Sequence, residues 1–156
     1  MNIFMKYSGW LTGILFLFIN ILHAQDIKEA GGLYYLDSKP YSGAYSTHFD
    51  NGQVKMTMNI VNGKKEGKVL LYFENGSLNE IRAYKNNEMH GRWIKFNENH
   101  VKTSVAGYKK GLKHGKWFIW NDVGVLIYEL KYKNGEKTGT WKSYNDKGEL
   151  INERNY

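Results

Sequence analysis

A period of 24 residues runs through most of this chain and constrains its fold more than any other feature. Glycine recurs at this interval without a slip, and other columns of similar residues keep the same spacing. The columns are glycine (Gly43, Gly67, Gly91, Gly115, Gly139), tryptophan (Trp93, Trp117, Trp141), tyrosine (Tyr84, Tyr108, Tyr132, Tyr156) and an acid (Asp50, Glu74, Glu98, Asp122, Asp146). Columns in one register do not arise by chance, so this is a repeat protein.

Each repeat predicts a β-hairpin. In the second repeat two extended apolar-rich runs flank Asn75-Gly76, and Asn-Gly favours a two-residue type I′ turn because both positions need a positive φ. Such a turn pairs Phe73 with Leu78 and Gly67 with Tyr84. A tyrosine ring over a glycine would shield exposed backbone and fix the register, so we expect the glycine column to be structural. We expect the acidic column, just before the turn, to hydrogen-bond turn amides.

The hairpins are joined by links at 62–66, 86–90, 110–114 and 134–138, which suit five-residue hairpin loops rather than crossovers. Leu33–Leu36 resembles the second half of a further repeat. The expected fold class is therefore all-β, an elongated antiparallel meander of stacked β-hairpins with about eleven strands. It forms a single domain over 25–156, made of an N-terminal half repeat at 25–42 and five repeats at 43–156.

The N-terminus has the pattern of an export signal. A start containing Lys6 precedes an apolar run from Trp10 to Leu22, and a small residue follows at Ala24. The run is shorter than the ~20 residues of a membrane-spanning helix. We therefore expect residues 1–24 to be a signal peptide cleaved after Ala24, which places a mature chain without a transmembrane segment in the periplasm or outside the cell. An uncleaved N-terminal anchor is the alternative.

Strict alternation along the strands predicts which side chains share a face. One face is expected to carry the tryptophan and tyrosine columns with Leu126 and Leu150, and the other Tyr72, Phe96, Trp120 and Tyr144. Two sets are candidates for binding a partner. They are the aromatic residues Phe96, Trp120 and Tyr144, and the lysines that follow the tyrosine column and form a basic line along one edge, Lys85, Lys109 and Lys133.

The residues argue against catalysis and cofactor binding. The chain has no cysteine, which excludes disulfides, thiolate catalysis and cysteine zinc sites. His90 and His114 occupy the same repeat position, so they lie two strands or ~10 Å apart, too far to ligate one ion. The acidic column has the same spacing, and the glycines do not form a nucleotide-binding loop. We expect no enzyme activity, no metal and no cofactor.

With these columns in place, the sequence resembles the MORN repeat in its bacterial variant form. The clearest copy runs from Gly115 to Gly139 through Trp117, Trp120 and Tyr132. The resemblance implies a long antiparallel sheet of stacked hairpins. Proteins similar to this are often described as antitoxin components of toxin–antitoxin pairs of the YwqK type, and MORN repeats elsewhere are linked to protein assembly and membrane phospholipids.

We therefore expect a non-enzymatic binding protein of the cell envelope with a protein partner. Neutralisation of a toxin is one alternative. Binding of anionic lipid or glycan by the basic edge is another, since the net charge is +7. Lysines that only keep a β-rich surface soluble are the plainer explanation of that edge. Nucleic acid is not expected as a partner, because an exported chain does not meet it.

Overall fold

The computed structural model describes residues 26–156, which form sixteen β-strands and, within that range, no helix. The fold class is all-β, as predicted. The strands are β1 (Ile27–Ala30), β2 (Leu33–Leu36), β3 (Lys39–Pro40), β4 (Gly43–His48), β5 (Val54–Val61), β6 (Lys64–Tyr72), β7 (Leu78–Lys85), β8 (Glu88–Met89), β9 (Gly91–Phe96), β10 (Lys102–Lys109), β11 (Leu112–Lys113), β12 (Gly115–Trp120), β13 (Leu126–Lys133), β14 (Glu136–Lys137), β15 (Thr140–Tyr144) and β16 (Leu150–Asn155).

Thirteen strands form one antiparallel sheet in which sequence neighbours are spatial neighbours from β4 to β16. The short strands β8, β11 and β14 pair with β7, β10 and β13 at one edge. The half repeat expected at 25–42 does not extend this sheet. Instead, β1, β2 and β3 form a separate three-stranded sheet, which we call the cap.

The predicted signal peptide at 1–24, and its cleavage after Ala24, lie outside the described residues. Within 26–156 no helix is long and apolar enough to cross a membrane.

The links between hairpins are tighter than the predicted five-residue loops. Val61 pairs with Lys64 across Asn62-Gly63, and both turn residues have a positive φ, 49° and 77°. Both residues of the equivalent turns at 86–87, 110–111 and 134–135 also have a positive φ. These are two-residue turns of the I′ type, which require the left-handed region at both positions. The type I′ turns thus lie at the links, on what we call the link edge.

The turns within the hairpins are of another kind, so the two-residue turn expected at 75–76 is wrong. Gly76 donates its N–H to the carbonyl of Phe73 (2.9 Å), and Phe73 pairs with Ser77 rather than with Leu78. Within the turn only Gly76 has a positive φ (83°). This is a three-residue loop that ends in a glycine bulge. We call this side of the sheet the hairpin edge.

A second irregularity restores the predicted register farther from the turn. Each hairpin contains a β-bulge, and in the second repeat it lies where Tyr72 pairs with Leu78 but Leu71 pairs with Glu80. The three-residue loop moves the pairing by one residue from the predicted register, and the extra residue of the bulge moves it back. Gly67 therefore pairs with Tyr84, as predicted, and Gly91, Gly115 and Gly139 pair with their tyrosines in the same way.

The most buried part of the protein lies where the cap covers the first two hairpins. Tyr34 of β2 and Ile60 of β5 are 2% and 1% exposed, and they pack with Met58 and Val69. The cap is fastened by the backbone N–H of Tyr34, which donates to the carbonyl of Gly63 (2.9 Å). The cap and the first hairpins together supply an apolar core that a single-layer sheet lacks.

Neighbouring repeats are also fastened to each other at both edges. At the link edge, backbone N–H groups donate to carbonyls of the preceding link, as from Asn87 to Lys65 (3.0 Å) and from Gly135 to Lys113 (2.8 Å). At the hairpin edge, Nδ2 of Asn97 donates to the carbonyl of Asp122 in the next turn (2.9 Å). These bonds hold the hairpins in one rigid register.

Candidate functional site

Seven aromatic rings form a continuous ladder on one face of the sheet, which we call the ladder face. Neighbouring ring centroids are 4.8 to 5.5 Å apart, and the planes are tilted by 49° to 59°. These are favourable geometries for aromatic pairs. In order along the sheet, the rings belong to Tyr84, Trp93, Tyr108, Trp117, Tyr132, Trp141 and Tyr156.

The glycine and tryptophan columns act together at a bulge that follows each link. At the fourth repeat the pairing of β10 shifts by two residues between β11 and β12, and Gly115 lies in the shift with φ +81°. The indole Nε1 of Trp117 donates to the carbonyl of Gly107 (3.0 Å), which also accepts from the backbone N–H of His114 (2.8 Å). Trp93 and Trp141 make equivalent bonds.

At Gly115 the predicted pairing with tyrosine is present, but shielding by a ring does not explain the glycine there. A Cβ placed on Gly115 would meet nothing within 4 Å, so no ring fills that space. The positive φ of the bulge is what favours glycine, because other L-residues rarely adopt it.

Lysines of the links lie over the ladder. Nζ of Lys113 is 5.0 Å from the ring centroids of both Trp117 and Tyr132, and Nζ of Lys137 is 4.5 and 4.7 Å from those of Trp141 and Tyr156. Lys65 takes the same place in an earlier repeat. An ammonium group at this distance from a ring face makes a cation–π contact. The sequence signal for this set is a lysine two residues before the column glycine.

Burial and a hydrogen bond shift the pKa values of two side chains on the ladder face, Tyr108 and Arg82. Burial, and then the nearby carboxylate of Glu80, raise the pKa of Tyr108. A hydrogen bond from Arg82 to Glu80 (2.9 Å) raises the pKa of the Arg82 guanidinium. Tyr132 is only 9% exposed. Because the rings cover one another, the aromatic part of this face mainly stabilises the repeat.

The opposite face carries the predicted aromatic candidates, in a line that we call the stripe. Tyr72, Phe96, Trp120 and Tyr144 each lie in the last position of their strand and are half-buried. Their cross-strand partners are Leu78, Lys102, Leu126 and Leu150. The expectation that Leu126 and Leu150 share the tryptophan face is therefore wrong, because the hairpin bulge reverses the alternation at this point.

The stripe contains both exposed apolar surface and positive charge. The rings of Phe118 and Trp120 stack at 5.8 Å, and Nζ of Lys102 lies 5.9 Å from the ring centroid of Trp120. Leu150 is 51% exposed. Within residues 26–156 the cap packs on the ladder face, opposite the stripe.

The lysine candidates Lys85, Lys109 and Lys133 are exposed at the link edge, as the repeat spacing predicts. Their cross-strand partners differ. Glu88 lies opposite Lys85 and Glu136 opposite Lys133, whereas Lys109 faces Leu112. The edge is basic but partly compensated by these acids.

The remaining polar columns have structural contacts. Oδ1 of Asn121 accepts bonds from the backbone N–H groups of Val123 and Val125 (3.2 and 2.9 Å), and Asn97 and Asn145 have the same role. Asparagine thus caps these turns, where the acidic column was expected to do so. Nδ1 of His114 accepts from the N–H of Asn134 (3.4 Å). Within 26–156 no three histidines or carboxylates cluster as metal ligands would.

Comparison with known families agrees with this geometry. The model of the MORN repeat variant matches residues 65–86 and 137–156, two segments that begin at the same position of the 24-residue unit. These two segments are similar to the MORN repeat variant. In this structure each matched repeat begins in a link and runs through a complete hairpin. MORN repeats generally bind proteins or membranes and are typically non-catalytic. No curated protein sequence matches the chain significantly.

Proposed function

We propose that this chain is an exported, non-enzymatic MORN-repeat protein that recognises a protein partner in the cell envelope through the stripe. The observation that carries the proposal is the line of half-buried aromatic residues, with leucine partners of which Leu150 is exposed, on the sheet face opposite the cap. Aromatic residues set at regular intervals on a rigid surface are typical anchors of protein interfaces.

The geometry favours a large partner over a small ligand. The stripe rings follow one another every second strand, about 10 Å apart, along a sheet whose hairpins are bonded at both edges. Affinity would come from area and rigidity, because little conformational entropy is lost when a pre-formed surface binds. The basic residues beside the stripe, such as Lys102, would favour a partner with an acidic rim.

Photo-crosslinking in the native cell tests the proposal. A photoreactive phenylalanine analogue replaces Phe96, and a matched control places it at Lys95, the neighbouring exposed residue, which pairs with Glu80 on the ladder face. We expect a discrete crosslinked protein from position 96 and none from position 95. Adding Trp120→Ala should weaken that product. Equal crosslinking from both positions, or none from position 96, would refute binding through the stripe.

The export part of the proposal rests on the N-terminal pattern of a basic start, an apolar run and Ala24. Cell fractionation and N-terminal sequencing of the recovered protein test it. We expect an N-terminus at Gln25 in the envelope or secreted fraction, and a chain that stays in the cytoplasm with Met1 intact would contradict it.

The identity of the crosslinked protein decides between general binding and the narrower antitoxin function suggested by the YwqK-type resemblance. A captured protein that is toxic when expressed alone, and harmless when expressed with this chain, would support neutralisation. A partner without toxicity would exclude it.

A further inference from the structure

The lysines over the ladder form a regular cationic track that is separate from the stripe. Lys113 and Lys137 occupy the same repeat position, so their ammonium groups recur every second strand, about 10 Å apart. Arg154 adds a guanidinium over the ring of Tyr156, with its carbon 5.0 Å from the ring centroid. The contacts to the rings restrict these side chains, so less entropy is lost when they bind an anion.

The charges of this track are not neutralised by acids in the described part of the chain. Neither Lys113 nor Lys137 belongs to the ion pairs found within 26–156, and the link at 110–114 contains no acid, unlike the other three links. By contrast, Lys116 on the stripe face pairs with Glu129 (3.6 Å). Nζ of Lys137 donates to the hydroxyl of Tyr156 (3.5 Å), and its other donors, like those of Lys113, have no carboxylate partner within 26–156.

From this geometry we infer that the ladder face binds a linear acidic polysaccharide with one carboxylate per disaccharide. A β-linked disaccharide is about as long as two strand spacings, so Lys113 and Lys137 each meet one carboxylate, whereas the preceding repeat has Met89 at this position. Between the charges, apolar C–H groups of the sugar rings contact the parts of Trp117 and Trp141 that remain accessible, since both residues are half-buried. A basic row beside aromatic rings fits a ligand that is both charged and apolar.

Two other polyanions fit this surface less well. Single-stranded nucleic acid needs open ring faces on which bases stack, and here neighbouring rings pack against each other at 49° to 59°. An anionic membrane also attracts basic side chains that lie near its surface, but it requires no fixed interval between them. The polysaccharide alone requires the lysines to lie at a fixed interval on the aromatic side.

The test compares two double variants with the same loss of charge at the same 24-residue spacing. The variant Lys113→Ala with Lys137→Ala removes the two ammonium groups of the track. The variant Lys109→Ala with Lys133→Ala removes two link-edge lysines that do not contact the ladder. Titration of tryptophan fluorescence with hyaluronan oligosaccharides measures the dissociation constant. Chitin oligosaccharides are the neutral probe, and vesicles of anionic phospholipid represent the membrane. Far-UV circular dichroism checks that each variant folds.

We expect hyaluronan hexasaccharide to bind the unaltered protein, with an affinity that falls as salt rises. The track variant should bind about tenfold more weakly, the sum of two exposed charge contacts, and the link-edge variant should be nearly unchanged. Restoring charge as Lys113→Arg with Lys137→Arg should recover binding. Equal loss in both Ala variants, equal binding of the chitin probe, or binding to vesicles alone would overturn the inference. The proposed protein-binding function uses the other face and would survive any of these results.

Discussion

Replacing Gly115 by alanine separates two explanations of the glycine column. Gly115 has φ +81°, and an added Cβ would meet no atom within 4 Å. The cost of alanine is therefore conformational, about 1–2 kcal/mol for an L-residue held in the left-handed region. The smaller entropy of the unfolded alanine chain offsets about 0.4–1 kcal/mol of this. We expect a net loss of about 1 kcal/mol in the free energy of unfolding.

Asparagine at the same position makes the test decisive. Asparagine visits the left-handed region more readily than alanine, as Asn62 and Asn134 do here with φ 49° and 52°. We therefore expect Gly115→Asn to cost less than Gly115→Ala, although its side chain is larger. Urea denaturation followed by far-UV circular dichroism gives the midpoint and slope for each variant. If asparagine is the more destabilising of the two, a ring shielding the glycine explains the column and the backbone argument fails.

Three further predictions concern stability. His100 has φ +61° where four other repeats have glycine, so His100→Gly should raise the free energy of unfolding by about 1 kcal/mol in the same urea assay. Ile60 is 1% exposed beneath the cap, so Ile60→Ala should lower the free energy of unfolding by about 2–5 kcal/mol. A loss below about 1 kcal/mol would show that the cap does not enclose a packed core. Burial, and then Glu29, raise the pKa of Tyr34 above its usual 10.0, so the folded state favours the neutral phenol. That stability is complete below pH ~10 and is lost as pH rises further, because the unfolded chain ionises first; alkaline unfolding should be less steep in Tyr34→Phe, and an unchanged pH profile would contradict this.

The period and the Gly–Tyr pairing were predictable because they depend on spacing alone. Turn types were not, since Asn-Gly occurs both at a link, Asn62-Gly63, and within a hairpin, Asn75-Gly76. Asn-Gly suits a type I′ turn, and its glycine equally suits the end of a three-residue loop. In the fourth repeat Val123 precedes Gly124 at the place of the Asn-Gly pair. A β-branched residue there argues against a positive φ, and therefore against a type I′ turn within the hairpins.

The candidate surfaces were predictable only in part. The spacing places Phe96, Trp120 and Tyr144 in one line, but strict alternation assigns Leu126 to the wrong face, because a bulge in each hairpin reverses the alternation. The position of Lys113 over Trp117 was also hidden, since it depends on how a tight link folds back over the sheet. Whether these surfaces bind partners stays a prediction for the experiments above.

The bonds between successive links and turns have a mechanical consequence. Each repeat is fastened to its immediate neighbours, so strain introduced near β16 has to pass through every intervening repeat before it reaches Tyr34. In a repeat protein whose repeats contact only their neighbours, the least stable repeat can unfold without the others. Every residue of β16 is exposed, whereas the cap buries Ile60 in the first hairpin, so the hairpin of β15 and β16 should open before the first hairpin does.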